Sequence, residues 1–211
     1  KATGDNKYKD IAVKHAMTTM NNHFRPDYTC WHVVSYNNDG TVEKKQTFQG
    51  KNDDSSWARG QAWAVYGYTA CYRETKDTTF LNFAVKVADM IMERVKTDDA
   101  IPYWDYDAPV TEETPRDASA ASVTASALIE LSTMVPDGKK YLDYAEKILK
   151  SLSGDAYLAK VGESQGFILM HSTGSLPNGS EIDTPLNYAD YYYLEALKRF
   201  MDLKGISYKN L

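Results

Sequence analysis

Apolar residues recur at three- and four-residue steps along six stretches of the chain, roughly 9–23, 60–74, 79–95, 118–133, 139–152 and 188–202, and this period predicts six helices. Three segments share a pattern. Gly4-Asp5-Asn6-Lys7-Tyr8 is followed by Ala12 and Ala16, Asp77-Thr78-Thr79-Phe80 by Ala84 and Ala88, and Gly138-Lys139-Lys140-Tyr141 by Ala145 and Ile148. Each is a turn, an aromatic residue, then apolar positions at helical spacing. Ahead of the second and third copies stands another helix-like run, joined to its partner by a few polar residues, and such short connections predict antiparallel helical hairpins. A long irregular stretch rich in Gly, Pro, Asp and aromatic residues follows each hairpin, over 96–117 and 153–187.

The hairpins recur about every sixty to seventy residues, a spacing too long for the common short helical repeats. The first helix of each hairpin is rich in small residues. This predicts an all-α fold, an α/α toroid in which small-residue inner helices ring an axis, outer helices shield them and the long loops gather at one mouth. A compact all-α domain without closure is the alternative. The main strand pattern lies at Cys30–Tyr36 ("CWHVVSY") with 47–49, a short hairpin about Asn37-Asn38-Asp39-Gly40. The opening "KATGDNKY" aligns with the interhelical turn "ETKDTTF". The expectation is that residues 1–211 are a C-terminal portion of one α/α-barrel domain, about half of a six-hairpin toroid.

Composition narrows the classes of partner. A net charge of −5 without any Lys/Arg run argues against nucleic acid and anionic membrane surfaces, which need concentrated positive charge. No apolar run approaches the roughly 18 residues of a membrane span. Cys30 and Cys71 stand far apart without a CxxC or a nearby His pair, so they predict neither a metal site nor a disulfide framework, but plain buried thiols. Sixteen tyrosines against six phenylalanines, with four tryptophans, suit ligands that carry both apolar faces and hydroxyls, of which sugars are the commonest.

The stretch Ser55–Trp63, "SSWARGQAW", sets two indoles, a guanidinium and a carboxamide at the head of a helix. Ser55 and Ser56 are typical residues ahead of a helix, and Gly60 allows close backbone approach. Trp57, Arg59 and Gln61 would project from the mouth, with Trp63 on the first turn. An Arg fork holds a carboxylate at two points and an indole covers the apolar face of a pyranose. The plainer reading is that both indoles are core and Arg59 caps a neighbouring helix. A second cluster, "YWDYDAP" then "RDASAAS" over 103–122, offers Asp105 and Asp107 as a carboxylate pair or as residues that order the loop, and Asp117 as a helix N-cap. In the third, "NYADYYYLEAL" over 187–197, Asp190 and Tyr191 face the axis or pack between helices. Of the four histidines, His15 and His23 fall in a helix pattern and His171 in a loop, whereas His32 lies in the strand beside Trp31, one loop from Gln49.

Gln49-Gly50, "SSWARGQAW", "YWDYDAP", "RDASAAS" and "NYADYYYLEAL", in that order and at these separations, resemble the unsaturated glucuronyl hydrolases of glycoside hydrolase family 88 over about His15 to Phe200. The sister family 105 of unsaturated rhamnogalacturonyl hydrolases more often reads "WARGNGW" where this chain has Gln61-Ala62. The resemblance implies an (α/α)6 barrel and an enzyme that hydrates the C4=C5 double bond of a 4,5-unsaturated uronic acid at the non-reducing end of lyase products. It implies substrate-pocket roles for His32, Gln49, Trp57, Arg59 and Trp63, no metal or organic cofactor, and a bacterial periplasm or cytoplasm. The family's general acid/base, an Asp in a "D-x-M-M-N" context, has no counterpart in these residues and is expected upstream of Lys1. The alternatives from other classes are a non-catalytic saccharide-binding toroid and an N-acylglucosamine epimerase-like isomerase, which uses His pairs not found here.

Overall fold

The computed structural model describes residues 3–207, so Lys1-Ala2 and 208–211 of the expected 1–211 unit lie outside it. Six helices carry the fold: α1 (Asn6–Asn22), α2 (Ala58–Thr75), α3 (Thr78–Arg94), α4 (Ala118–Ser132), α5 (Lys139–Leu152) and α6 (Asn187–Lys204). Their bounds follow from local chemistry. The Asp5, Asp77 and Asp117 carboxylates accept the N–H groups of Lys7, Thr79 and Ser119, each capping a first turn. At the other end α6 stops where Gly205 takes a left-handed φ of 67°.

The helices alternate between two layers. α4 packs most extensively on α2 and α6 and is backed by α5, while α2 is backed by α3. Thirteen of the fifteen α4 residues are buried, and most are Ala, Ser or Thr, so neighbouring backbones approach from every side. By contrast α5 is buried along one stripe, through Tyr141, Ala145, Ile148, Leu149 and Leu152, the four-residue rhythm of an outer helix. Inner α2, α4 and α6 with outer α3 and α5 form the arc of helical hairpins that the sequence predicts.

The strand pair differs from the expected one. β1 (Val33–Tyr36) runs antiparallel to β2 (Val42–Gln46), with Val33 opposite Gln46, around a turn in which Asp39 accepts the Thr41 N–H. Residues 47–49 therefore fall beyond the end of β1 and form a separate turn. The reason is geometric: a short connection over 37–41 uses up the partners of β1 before Thr47 is reached.

Candidate functional site

The long connections that precede α2, α4 and α6 meet at the N-terminal ends of these inner helices. Isolated bridges join Trp57 to Asp105 and Tyr103 to Arg116, and the N–H groups of Ala58 and Tyr106 donate to the carbonyls of Trp104 and Ser56. The first two sequence clusters are thus stitched together by backbone, and the third meets them through side chains, with the Tyr188 ring 5.3 Å from the Arg59 guanidinium carbon and the Tyr192 ring 5.0 Å from Trp63.

Arg59 sits at the centre, 3% exposed. Its Nη1 donates to Asp117 Oδ2 at 2.6 Å, to Ser119 Oγ at 3.1 Å and to the Thr173 carbonyl at 2.7 Å, and its Nη2 donates to the Gly174 carbonyl at 2.8 Å. Arg59 does not project from the mouth as expected. Its guanidinium is drawn into a buried knot because Asp117, fully buried, caps α4 one helix away and requires a counter-charge. Gln49 reaches the same place, its Nε2 donating to the Gly174 carbonyl at 2.8 Å. Gly174 has no room for a side chain, since a Cβ there would lie 2.6 Å from Glu181 Cβ. Thr173 and Gly174 are absent from the sequence reading, and the "HSTGS" stretch that holds them carries no chemical signature of its own.

His32, Trp57 and Trp63 line a groove of about 470 Å³. The His32 and Trp57 rings lie 4.3 Å apart at 30°, and the Arg59 guanidinium carbon is 4.5 Å from the Trp57 ring centre. Trp63 meets Tyr192 edge-on at 5.0 Å. The Trp57 Nε1–H is buried without a hydrogen-bond partner among the described residues. His32 Nδ1 accepts the N–H groups of Phe48 at 3.2 Å and Gln49 at 3.1 Å. Burial, and then the charge of Arg59, hold the His32 imidazole below the usual histidine value. Of the five expected pocket residues, the structure therefore gathers His32, Trp57 and Trp63 on the groove and sets Gln49 and Arg59 on Gly174.

Other expectations are corrected here. Ser55 and Ser56 do not cap α2: the residue at that position is Trp57, without a side-chain cap bond, and the Ser55 hydroxyl goes to Asp105. Gln61 does not face the mouth but is fully buried, its Oε1 accepting the Cys30 N–H at 2.9 Å. Asp105 and Asp107, by contrast, order the loop, the second of the two roles expected for them. Asp105 accepts the Lys51 and Asp107 N–H groups and the Ser55 hydroxyl, while Asp107 accepts the Ser56 N–H and pairs with Arg94. Asp190 holds the backbone of Ile168 and Leu169, and Tyr191 is exposed, so neither packs between helices. Cys30 is buried and its thiol is pushed up to about 12 by burial, whereas Cys71 is half-buried.

Among the described residues no group of three or more His, Cys, Asp or Glu is placed to hold a metal ion, and no carboxylate lines the groove of His32, Trp57 and Trp63. The groove is lined by aromatic faces and by the imidazoles of His15, His23 and His32. The class is therefore the α/α toroid, the fold of the unsaturated glucuronyl hydrolase structures that the chain matches. The chain belongs to Glycosyl Hydrolase Family 88, whose sequence profile matches residues 1–205.

It is 48% identical over 205 residues to an unsaturated glucuronyl hydrolase of Formosa agariphila, covering 96% of this chain and 51% of that protein. A crystal structure of an unsaturated glucuronyl hydrolase specific for heparin superposes with a TM-score of 0.95 at 55% identity, covering 97% of this chain and 56% of the other. A Streptococcus agalactiae unsaturated glucuronyl hydrolase variant complexed with dGlcA-GalNAc6S matches with a TM-score of 0.83 at 33% identity, covering 94% and 54%. The chain thus spans about half the length of the relatives it matches.

Proposed function

We propose that the protein to which these residues belong is a hydrolase of 4,5-unsaturated uronic acids at the non-reducing end of lyase-generated oligosaccharides. On this reading, residues 1–211 are a C-terminal part of its single α/α-barrel domain. The single observation that carries the reading is the groove of His32, Trp57 and Trp63, an aromatic wall, in a chain of this family. A carboxylic acid protonates C4 of the enol ether, and the carboxylate then formed takes a proton from the water that adds at C5. The resulting hemiketal opens, and the rest of the saccharide leaves as its free hydroxyl. The anomeric carbon is not attacked, so the carboxylate spacing that separates retaining from inverting glycosidases does not govern this reaction.

The present residues supply the wall of the site. Trp57 and Trp63 face the sugar plane, His32 binds an oxygen of the ring or its substituents, and Gln49 and Arg59 hold the Gly174 segment that borders them. The acid/base Asp comes from outside these residues, consistent with a groove that no described carboxylate lines. The same observation favours a second reading, a saccharide-binding toroid without the chemistry.

The test is loss of ultraviolet absorbance of unsaturated disaccharides mixed with the complete protein. The heparin-derived compound comes first because of the 55% identity to a heparin-specific relative, and the chondroitin-derived compound second. Loss of the conjugated C4=C5 signal supports the hydrolase. Tight binding by calorimetry with an unchanged spectrum supports the binding protein.

A further inference from the structure

The turn that carries Gln49 and Gly50 is tied at several points. The Thr47 N–H donates to Asp53 Oδ1 at 2.9 Å, the Gly50 N–H to Thr47 Oγ1 at 2.8 Å and the Lys51 N–H to Asp105 Oδ2 at 2.9 Å. Gly50 rests directly on these groups: a Cβ there would lie 2.7 Å from Thr47 Oγ1 and 3.1 Å from Asp105 Oδ2. Asp105 is 1% exposed, and its hydrogen-bond partners are all neutral donors, the Lys51 N–H and the Ser55 hydroxyl (2.7 Å) on Oδ2 and the Asp107 N–H (2.9 Å) on Oδ1. Burying a carboxylate is costly unless such donors meet it. Only a carboxylate serves donors on both of its oxygens, because an Asn in the same place has one acceptor oxygen.

His32 lies at the other end of this arrangement. The Phe48 and Gln49 N–H groups converge on its Nδ1, and Thr47 Oγ1 stands 3.3 Å from the same nitrogen. A ring nitrogen that faces two N–H donors has no space for a proton of its own. Nε2 has no partner among the described residues, and the ring lines the groove.

We propose that Asp105 is a positioning residue for the groove: by anchoring the turn over residues 47–51 it aims two N–H groups at His32 Nδ1 and fixes His32 as the Nε2–H tautomer. His32 then donates a hydrogen bond to a ligand oxygen and is not the base of the reaction. The donor role rests on the saccharide reading of the previous section, whereas the tautomer and its anchor stand on the protein alone.

The experiment is a long-range proton–nitrogen correlation spectrum of the complete protein with nitrogen-15-labelled histidine, His32 being assigned by the signals lost in His32→Gln. Expected in the wild type is a protonated, pyrrole-type Nε2 and a bare, pyridine-type Nδ1. In Asp105→Ala both nitrogens move toward the averaged shifts of a tautomer mixture, while histidines other than His32 keep theirs. A pyrrole-type Nδ1 in the wild type overturns the tautomer, and an unchanged His32 pattern in folded Asp105→Ala overturns the anchor. Should Asp105→Ala fail to fold by circular dichroism, Ser55→Ala and Gly50→Ala disturb the same turn from its two sides, and an unchanged pattern in both overturns the anchor equally. With an unsaturated disaccharide, Asp105→Ala lowers kcat about tenfold to a hundredfold with a smaller change in KM, the mark of misplacement. If no lyase product is turned over by the wild type, the functional reading fails while the spectrum still decides the tautomer.

Discussion

The Arg59 knot and the His32 groove share the Trp57 ring, yet they are built on opposite rules. In the knot both charges are buried and the guanidinium meets Asp117, Ser119 and two carbonyls. In the groove His32 Nε2 has no partner among the described residues, and the indole faces have stacking capacity left over. A satisfied polar cluster holds the loops in place. An unsatisfied one beside it is what a ligand completes.

Breaking the knot has the largest expected effect. Arg59→Ala leaves the Asp117 carboxylate buried without its counter-charge and costs about 3–5 kcal/mol, measured by urea unfolding. A loss below about 1 kcal/mol would mean that water or another cation replaces the guanidinium. Next comes Gly174→Ala, where the added methyl meets Glu181 and destabilises by about 1–3 kcal/mol in the same assay.

Trp57→Phe sharpens the contrast, because it removes an N–H that lacks a partner among the described residues. The smaller ring costs about 1–2 kcal/mol of folding stability at this buried position, and saccharide affinity measured by calorimetry falls with the stacking face lost. An unchanged affinity would place the Trp57 ring outside the ligand's contacts.

The smallest effect is on pH dependence. His32 and His23 are both held below the usual histidine value of about 6.5, chiefly by burial. The unfolded chain takes up protons near pH 6.5 that the folded protein refuses until lower pH. Stability is therefore complete above about pH 6.5 and declines as the pH falls through and below it, levelling beneath the folded values. Asp27 and Asp99, held below 3.8, lose their contribution only in more acidic solution. His32→Gln should flatten part of the upper decline in thermal unfolding, and an unchanged slope would leave His23 as its source.

The helices were readable because their signals are local. The stripe of α5 repeats every three or four residues, and 139–152 is both the expected and the observed span. α2 begins two residues before the expected 60, because Trp57 and Ala58 are held by the Asp105 and Trp104 backbone and not by a serine cap. The site was legible only in its membership. That "SSWARGQAW" mattered could be read from its residue types, but which way each side chain turns depends on partners far along the chain. Arg59 meets carbonyls 114 and 115 residues away, and Gln61 turns inward to Cys30, 31 residues before it. No periodicity records such pairings.

Cys30 lies against Gly60 at the foot of the groove, with 3.6 Å from its sulfur to where a Gly60 Cβ would stand, and its thiol is pushed up to about 12. Burial disfavours the thiolate, the form that alkylating reagents attack. Cys71 borders the same groove and is half-buried. Of these two thiols Cys71 is the more open to a fluorophore, which would give the groove an optical reporter of ligand entry that needs no turnover to be read.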